Sequence, residues 1–300
     1  MYPIRHTRGR RICRGRRHGL EWVHVRTPSP RGLVFATPLI GGSAGQQIRD
    51  LKGLIRHHYD LFTFAFSGHG DNTTPFSLRA TVQDTAALLS VAMATPLARE
   101  ASAGGIAACF GAIPLLKALD LLDEPLDRVV LINALPRLLK GQTVKSFWSH
   151  HRRQASSEWW HPSRVRASLI DFIDRLFPSV SKTPARFGAL NRQRVGMMDT
   201  VLDLLTYDPL DRLRLHRTDV LCLYARHDPL LTMFWDLRAG GSYETAWEGV
   251  CRRIRFVSVE GDHYLSSPKA KATVLGMVHG FLSGDDPKSH CTPSPLAGSA

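Results

Sequence analysis

The chain has 300 residues, a formal net charge of +13 and 43% hydrophobic residues. That length allows one α/β domain with a sizeable insertion or two small domains, and that composition argues against wholesale disorder. No stretch reaches the roughly 18 uncharged apolar residues that a membrane-crossing helix needs. The cysteines, Cys13, Cys109, Cys222, Cys251 and Cys291, are scattered and form no CxxC pair, so neither a zinc site nor a disulfide framework is suggested. A reducing, cytoplasmic setting is expected.

The first 18 residues carry Arg5, Arg8, Arg10, Arg11, Arg14, Arg16 and Arg17 and no acid. Such a run could touch nucleic acid or an anionic surface. It has no aromatic interleaving and no motif of its own, so residues 1–19 are read as a basic disordered tail. No apolar stretch follows, which excludes a secretory signal.

Residues 20–25 then alternate as a strand does, and residues 32–37 (GLVFAT) form a short apolar run before a Gly41-Gly42-Ser43 turn. In residues 44–58 the apolar Ile48, Leu51 and Ile55 recur at helical spacing. Residues 61–66 (LFTFAF) read as a buried strand, residues 78–94 as a helix, residues 105–109 as a short strand, residues 110–122 as a helix and residues 128–133 (RVVLIN) as another strand. Alternation of this kind predicts a mostly parallel, doubly wound α/β sheet. It stops at residues 136–216, where helical stretches at 165–177 and 194–207 accompany an aromatic cluster. It resumes with strands at 219–225 and 254–259, a helix around 243–252 between them, and a closing helix at 269–282. The expected architecture is a core of residues 20–135 and 217–283, a helical cap at 136–216, and disordered ends at 1–19 and 284–300.

Three places carry residues suited to acyl chemistry. Ala107-Ala108-Cys109-Phe110-Gly111 lies at a strand-to-helix junction with little bulk two residues either side of Cys109, as a nucleophile elbow requires. A helix N-terminus also favours a thiolate. Asp228 follows the strand at 219–225, and His263 follows the strand at 254–259; catalytic groups in open α/β sheets gather at such carboxyl ends. Each has a blander reading: a small buried Cys109, a turn Asp228 ahead of Pro229, and a surface His263. The order nucleophile, acid, base weighs against all three at once.

The pieces GLVFATPLIGGS, FAFSGHGDN, AACFGA, LCLYARHDPLL and EGDHYLSSP, in this order and spacing, resemble the α/β-hydrolase superfamily over about residues 21–283. The similarity is to the branch of lipases, esterases and peptidases with a helical cap after the sixth strand. The usual nucleophile there is Ser; Cys occurs in dienelactone hydrolases and polyhydroxyalkanoate synthases, although residues 107–111 lack the extra glycine of the synthases' box. The family often has His-Gly after the strand at 32–37, where this chain has Pro38-Leu39 with Ile40 at the donor position.

The resemblance implies a Cys109–His263–Asp228 triad and an oxyanion hole of the Ile40 and Phe110 backbone N–H groups. The implied activity is hydrolysis of an ester, thioester or related small acyl substrate. Cys-dependent acyl transfer and a catalytically silent binding protein are the alternatives. Leu39, His69, Trp148, Trp159 and Trp160 are candidate substrate-binding residues, with a turn role the stronger reading for His69 and a core for the cap itself an equal reading for the tryptophans. His150, His151 and His161 are expected to be solvated or packing residues rather than metal ligands. Nothing in the sequence calls for a cofactor or a metal, and it carries no signal of oligomeric state.

Overall fold

The computed structural model describes residues 6–7, 10–69, 72, 74–136, 140–154, 160–176, 200, 203–204, 208, 210–211, 213–235, 237, 242–247, 250–263 and 265–285. Its strands are β1 (His6–Thr7), β2 (Arg10–Arg17), β3 (Leu20–Arg26), β4 (Gly32–Ala36), β5 (Tyr59–Phe64), β6 (Ser102–Ala108), β7 (Arg128–Ile132), β8 (Leu215–Ala225) and β9 (Cys251–Val259). They form one sheet in the order β1-β2-β3-β5-β4-β6-β7-β8-β9. Pairing is antiparallel from β1 through β3 to β5, and parallel from β5 and β4 across to β9.

The helices of the first half are α1 (Ala44–Asp50), α2 (Lys52–Arg56), α3 (Leu78–Met93), α4 (Pro96–Glu100) and α5 (Ala112–Leu121). After β7 come α6 (Lys140–Gln154), α7 (Pro162–Leu176), α8 (Pro229–Phe234), α9 (Ser242–Thr245) and α10 (Pro268–Ser283). Side chains alternate across each strand, so the sheet feeds two cores. Leu33 and Phe35 join Leu88, Leu89, Ile113 and Leu116 of α3 and α5. Val34 and Ala36 join Leu54, Ile55, Val274 and Val278 of α2 and α10. Burial on both faces explains why these strands read as continuous apolar runs. Ser43, Ser77 and Ser267 cap α1, α3 and α10, each accepting from a backbone N–H of the first turn.

The expectation of a disordered tail is corrected over residues 10–19. Arg10–Arg17 form a full strand whose pairs run from Arg11↔Arg26 to Arg17↔Leu20. The hairpin turns through His18 and Gly19, both at positive φ (50° and 80°), the geometry that tight hairpins favour and glycine adopts without strain. An arginine-rich strand is tolerated there because aliphatic stems can lie along the sheet while the charged heads stay in water. Composition registered the charge and missed the turn.

Other boundaries shift too. The helix expected over 44–58 is broken at Leu51 into α1 and α2. β8 starts at Leu215, inside the range expected for the cap, because its pairing with β9 continues past an irregularity between Leu215 and Asp219 to Cys251. That extension also shortens the helix expected over 243–252 to α9. The helix expected at 194–207 and the tail at 284–300 fall largely outside the described residues.

Removing residues 1–18 should expose the β3 edge and lower stability by at least about 1 kcal/mol, a fall in Tm of roughly 2–4 °C or more. Calorimetry of the chain beginning at Gly19 checks this; an unchanged Tm would show that the hairpin adds nothing.

Candidate active site

β6 ends at Ala108, and one 3₁₀ turn, Cys109–Gly111, leads into α5. Cys109 has φ 50°, a left-handed conformation that costs a non-glycine residue energy and persists only where its surroundings enforce it. Here they do. Thr37 Oγ1 donates to the Gly111 carbonyl at 3.2 Å, and the Leu135 N–H reaches the Cys109 carbonyl at 3.5 Å. A Cβ on Gly111 would lie 2.8 Å from the Pro38 carbonyl oxygen, so only glycine lets the elbow pack this closely on the loop after β4. Cys109 is buried, at 7% exposure.

Asp228 lies just past β8 and is fully buried. Its Oδ1 accepts from the backbone N–H groups of Leu230 (2.8 Å) and Leu231 (3.1 Å), capping α8. Its Oδ2 accepts from His263 Nδ1 at 2.7 Å. One side chain thus caps the helix through one oxygen and holds the His263 ring through the other.

His263 follows β9 and also hydrogen-bonds the Cys109 side chain. Burial is the largest single influence on the imidazole and pushes its pKa down. The negative charge of Cys109, the hydrogen bonds to Asp228 and Cys109, and the Asp228 charge together outweigh it, and the value rises to about 10. The structure therefore brings Cys109, His263 and Asp228 into one connected chain.

Asn133, in sequence only the polar end of the strand RVVLIN, positions the His263 loop. It is buried, with φ 46°. Its Nδ2 donates to the His263 carbonyl at 2.8 Å and its Oδ1 accepts from the Ala225 N–H at 2.7 Å. It ties the end of β7 to the end of β8 and to the His263 loop. The available signal was a polar residue closing the apolar run RVVLIN at a strand's carboxyl end.

Among the other candidates, Leu39 lines the cavity beside Cys109. The Ile40 side chain is buried in the core on the α3–α5 face, and Phe110 is buried beneath the elbow. His69 does not line the cavity. It is buried between Phe66 and Phe76, its Nδ1 donates to the Ser67 carbonyl (3.0 Å), and its Nε2 accepts from the Gly41 N–H (2.6 Å). That pairing requires the neutral ring, and burial holds its pKa below the usual histidine value. His69 thus pins the loop that carries Ile40. Trp148 on α6 and Trp160 are exposed and do not line the cavity; Trp159 lies outside the described residues. His150 bonds Asp171 at 2.7 Å and His151 bonds Ser168 at 2.8 Å, both between α6 and α7. Among the described residues no group of three or more His, Cys, Asp or Glu side chains could hold a metal, and no helix is long and apolar enough to cross a membrane. Cys13, Cys109, Cys222 and Cys251 are free thiols.

A cavity of about 300 Å³ opens beside Cys109 and His263. It runs between α1 and α10 on the α2–α10 face of the sheet, and Asn133 sits on its wall.

No protein-family model and no curated protein matches the chain. Solved structures do match its fold. A hydrolase from Pseudomonas aeruginosa PA01 superposes with a TM-score of 0.58 at 17% identity, over 90% of this chain and 98% of that one. The enol-lactonase from Burkholderia xenovorans LB400 gives 0.57 at 14% identity, over 90% and 100%. A structure from a study of carboxylesterases of Nitrososphaera gargenis gives 0.53 at 12%, over 95% and 100%. The chain has the α/β-hydrolase fold.

Asn133→Ala leaves the buried Ala225 N–H without its acceptor and should cost about 1–3 kcal/mol in chemical denaturation; a cost near zero would remove Asn133 from the positioning role. In Cys109→Ala, His263 loses both the charge and the hydrogen bond of the sulfur, so its NMR titration midpoint should fall from about 10. The sign for stability follows: the raised pKa contributes fully below the unfolded value of about 6.5 and is lost as pH rises through the folded one. A midpoint unmoved by the substitution would count against the Cys109–His263 pairing.

Proposed function

We propose that the chain is a hydrolase of an ester, thioester or related acyl substrate that works through a covalent acyl-enzyme on Cys109. The observation that carries this reading is the buried chain from Asp228 through His263 to a cysteine held at positive φ on a strand-to-helix turn. Solved structures of the same fold include a hydrolase, an enol-lactonase and a structure from work on carboxylesterases, which supports it.

His263 Nε2 takes the proton of Cys109, leaving a thiolate beside an imidazolium. The thiolate attacks the acyl carbon, a C–S bond forms, and the carbonyl π pair moves onto oxygen. The backbone N–H groups of Phe110 and Ile40 hold that oxygen, each donor being worth about 3 kcal/mol in such sites. The intermediate collapses and expels the leaving group, which takes the proton from His263 Nε2. A water then gives its proton to Nε2 while its oxygen attacks the thioester. Collapse releases the acid and restores thiolate and imidazolium. Asp228 holds the ring through Nδ1 and stabilises its charge throughout.

The helices α6 and α7, inserted between β7 and β8, are read as part of a cap over this end of the sheet. A reduced thiol suits a reducing compartment such as the cytoplasm. Acyl transfer to an amine, alcohol or thiol is the second reading, and the sulfur itself favours it, because a thioester is readily passed to acceptors other than water.

Assays with chromogenic esters and acyl thioesters test this. Cys109→Ala should abolish turnover, and His263→Ala should lower kcat/KM by about 10²–10⁴. Added amines or thiols should divert product only if transfer competes with hydrolysis. Turnover retained in Cys109→Ala would defeat the Cys109 acyl-enzyme; no turnover together with no alkylation of Cys109 would defeat the hydrolase reading and leave a silent fold.

A further inference from the structure

We propose that the cavity between α1 and α10 is the acyl pocket, and that it takes an apolar acyl chain with its carbonyl at Cys109 and its far end at the Asp50–Lys271 ion pair. This assignment rests on the reading of Cys109 as nucleophile.

Both ends of the cavity are defined by chemistry. Cys109 and His263 lie on its wall at the carboxyl edge of the sheet. Asp50 and Lys271 also line it, joined at 3.0 Å with both side chains nearly half exposed, at 47% and 43%. The ion pair therefore lies on the solvent side. Ala36, Ile106, Ile132, Leu51, Val274 and Leu275 give the remaining wall its apolar character. The buried polar side chains of that wall are already engaged: Gln47 donates to the Thr37 carbonyl and accepts from Thr63 Oγ1, Thr37 Oγ1 donates to the Gly111 carbonyl, and Asn133 holds the His263 carbonyl and the Ala225 N–H. They offer a ligand little further hydrogen bonding, so the wall suits a hydrocarbon chain rather than a sugar or a peptide. A volume of about 300 Å³ stands at the small end of the range for ligand sites, which fits a chain of short to medium length. The Asp50–Lys271 pair sets the limit, because a longer chain must displace it or lie against two charges.

The route differs from entry beneath α6 and α7. Those helices follow β7, whereas α1 and α10 flank the cavity on the other side of Cys109, packed on the α2–α10 face of the sheet. Chain-length selection is therefore assigned to Leu275 and Gln46, which line the cavity from the two helices.

The test is alkylation of Cys109 by N-alkyl iodoacetamides, from the unsubstituted amide to the dodecyl amide, with peptide-level mass spectrometry to separate Cys109 from Cys13. Each methylene that enters an apolar pocket should raise the rate constant up to about fourfold, until the cavity is full and the rise stops. Leu275→Trp and Gln46→Trp fill the cavity from opposite helices, and each should move that break to a shorter chain. Circular dichroism establishes which variants fold, and either one alone decides the matter. A break absent from the wild type, a break unmoved in a folded variant, or no labelling of Cys109 even by the unsubstituted amide overturns the pocket. Because alkylation needs no turnover, the two readings fail separately. A protein that labels with the expected length dependence yet cleaves no ester or thioester keeps the pocket and loses the hydrolase. One that cleaves them with a break unmoved by either substitution keeps the hydrolase and loses the pocket.

Discussion

The Asp228 carboxylate carries the arrangement on which the site depends. It is fully buried, and an ionised carboxylate away from water costs several kcal/mol unless its oxygens are satisfied. Two backbone N–H groups at the start of α8 hold one oxygen and the His263 ring holds the other. Helix start and histidine orientation are therefore one requirement. Pro229 follows directly and begins α8 without losing a needed N–H, so the position of the carboxylate is set by the end of β8. Asn133 extends the same logic sideways, spanning from the Ala225 N–H to the His263 carbonyl. The carboxyl ends of β7 and β8 and the loop after β9 are fixed against one another by a handful of side-chain bonds.

The elbow is held by different means. Its left-handed Cys109 is stabilised by close packing, with Gly111 pressed against the Pro38 carbonyl and Thr37 bonded across the gap. The loop beyond Pro38 is in turn pinned by His69 through the Gly41 N–H. A neutral, buried histidine with a lowered pKa thus steadies one side of the sulfur, while a charged histidine with a raised pKa sits on the other. Burial decides the matter at His69, whereas at His263 the neighbouring Asp228 and Cys109 outweigh it.

The parallel sheet was legible because burial on both faces leaves continuous apolar runs such as GLVFAT and RVVLIN, with turn residues between them. Cys109, Asp228 and His263 were legible because each sits at the end of such a run. What stayed hidden depends on contacts distant in sequence. Asn133 looks like a strand residue until Ala225 and His263 arrive beside it. His69 lies near the elbow in the fold, yet its partner is a backbone group 28 residues earlier. β2 was concealed by its arginines, since charge dominates composition while strand pairing depends on backbone bonds and a His-Gly turn.

The arginines of β2 have a counterpart across the sheet. Arg11, Arg14, Arg16 and Arg17 lie beside one margin, and Arg253 and Arg255 lie on β9, the outermost strand of the other. Open margins are templates on which a second chain could add its own strands, and charge placed there discourages that addition. Arg14 and Arg253 have acidic neighbours in Glu21 and Asp219, and the other arginines would meet their like on a second copy. Repulsion of this kind works against edge-to-edge stacking. Its strength falls with ionic strength, because repulsion reaches only about 8 Å in physiological salt.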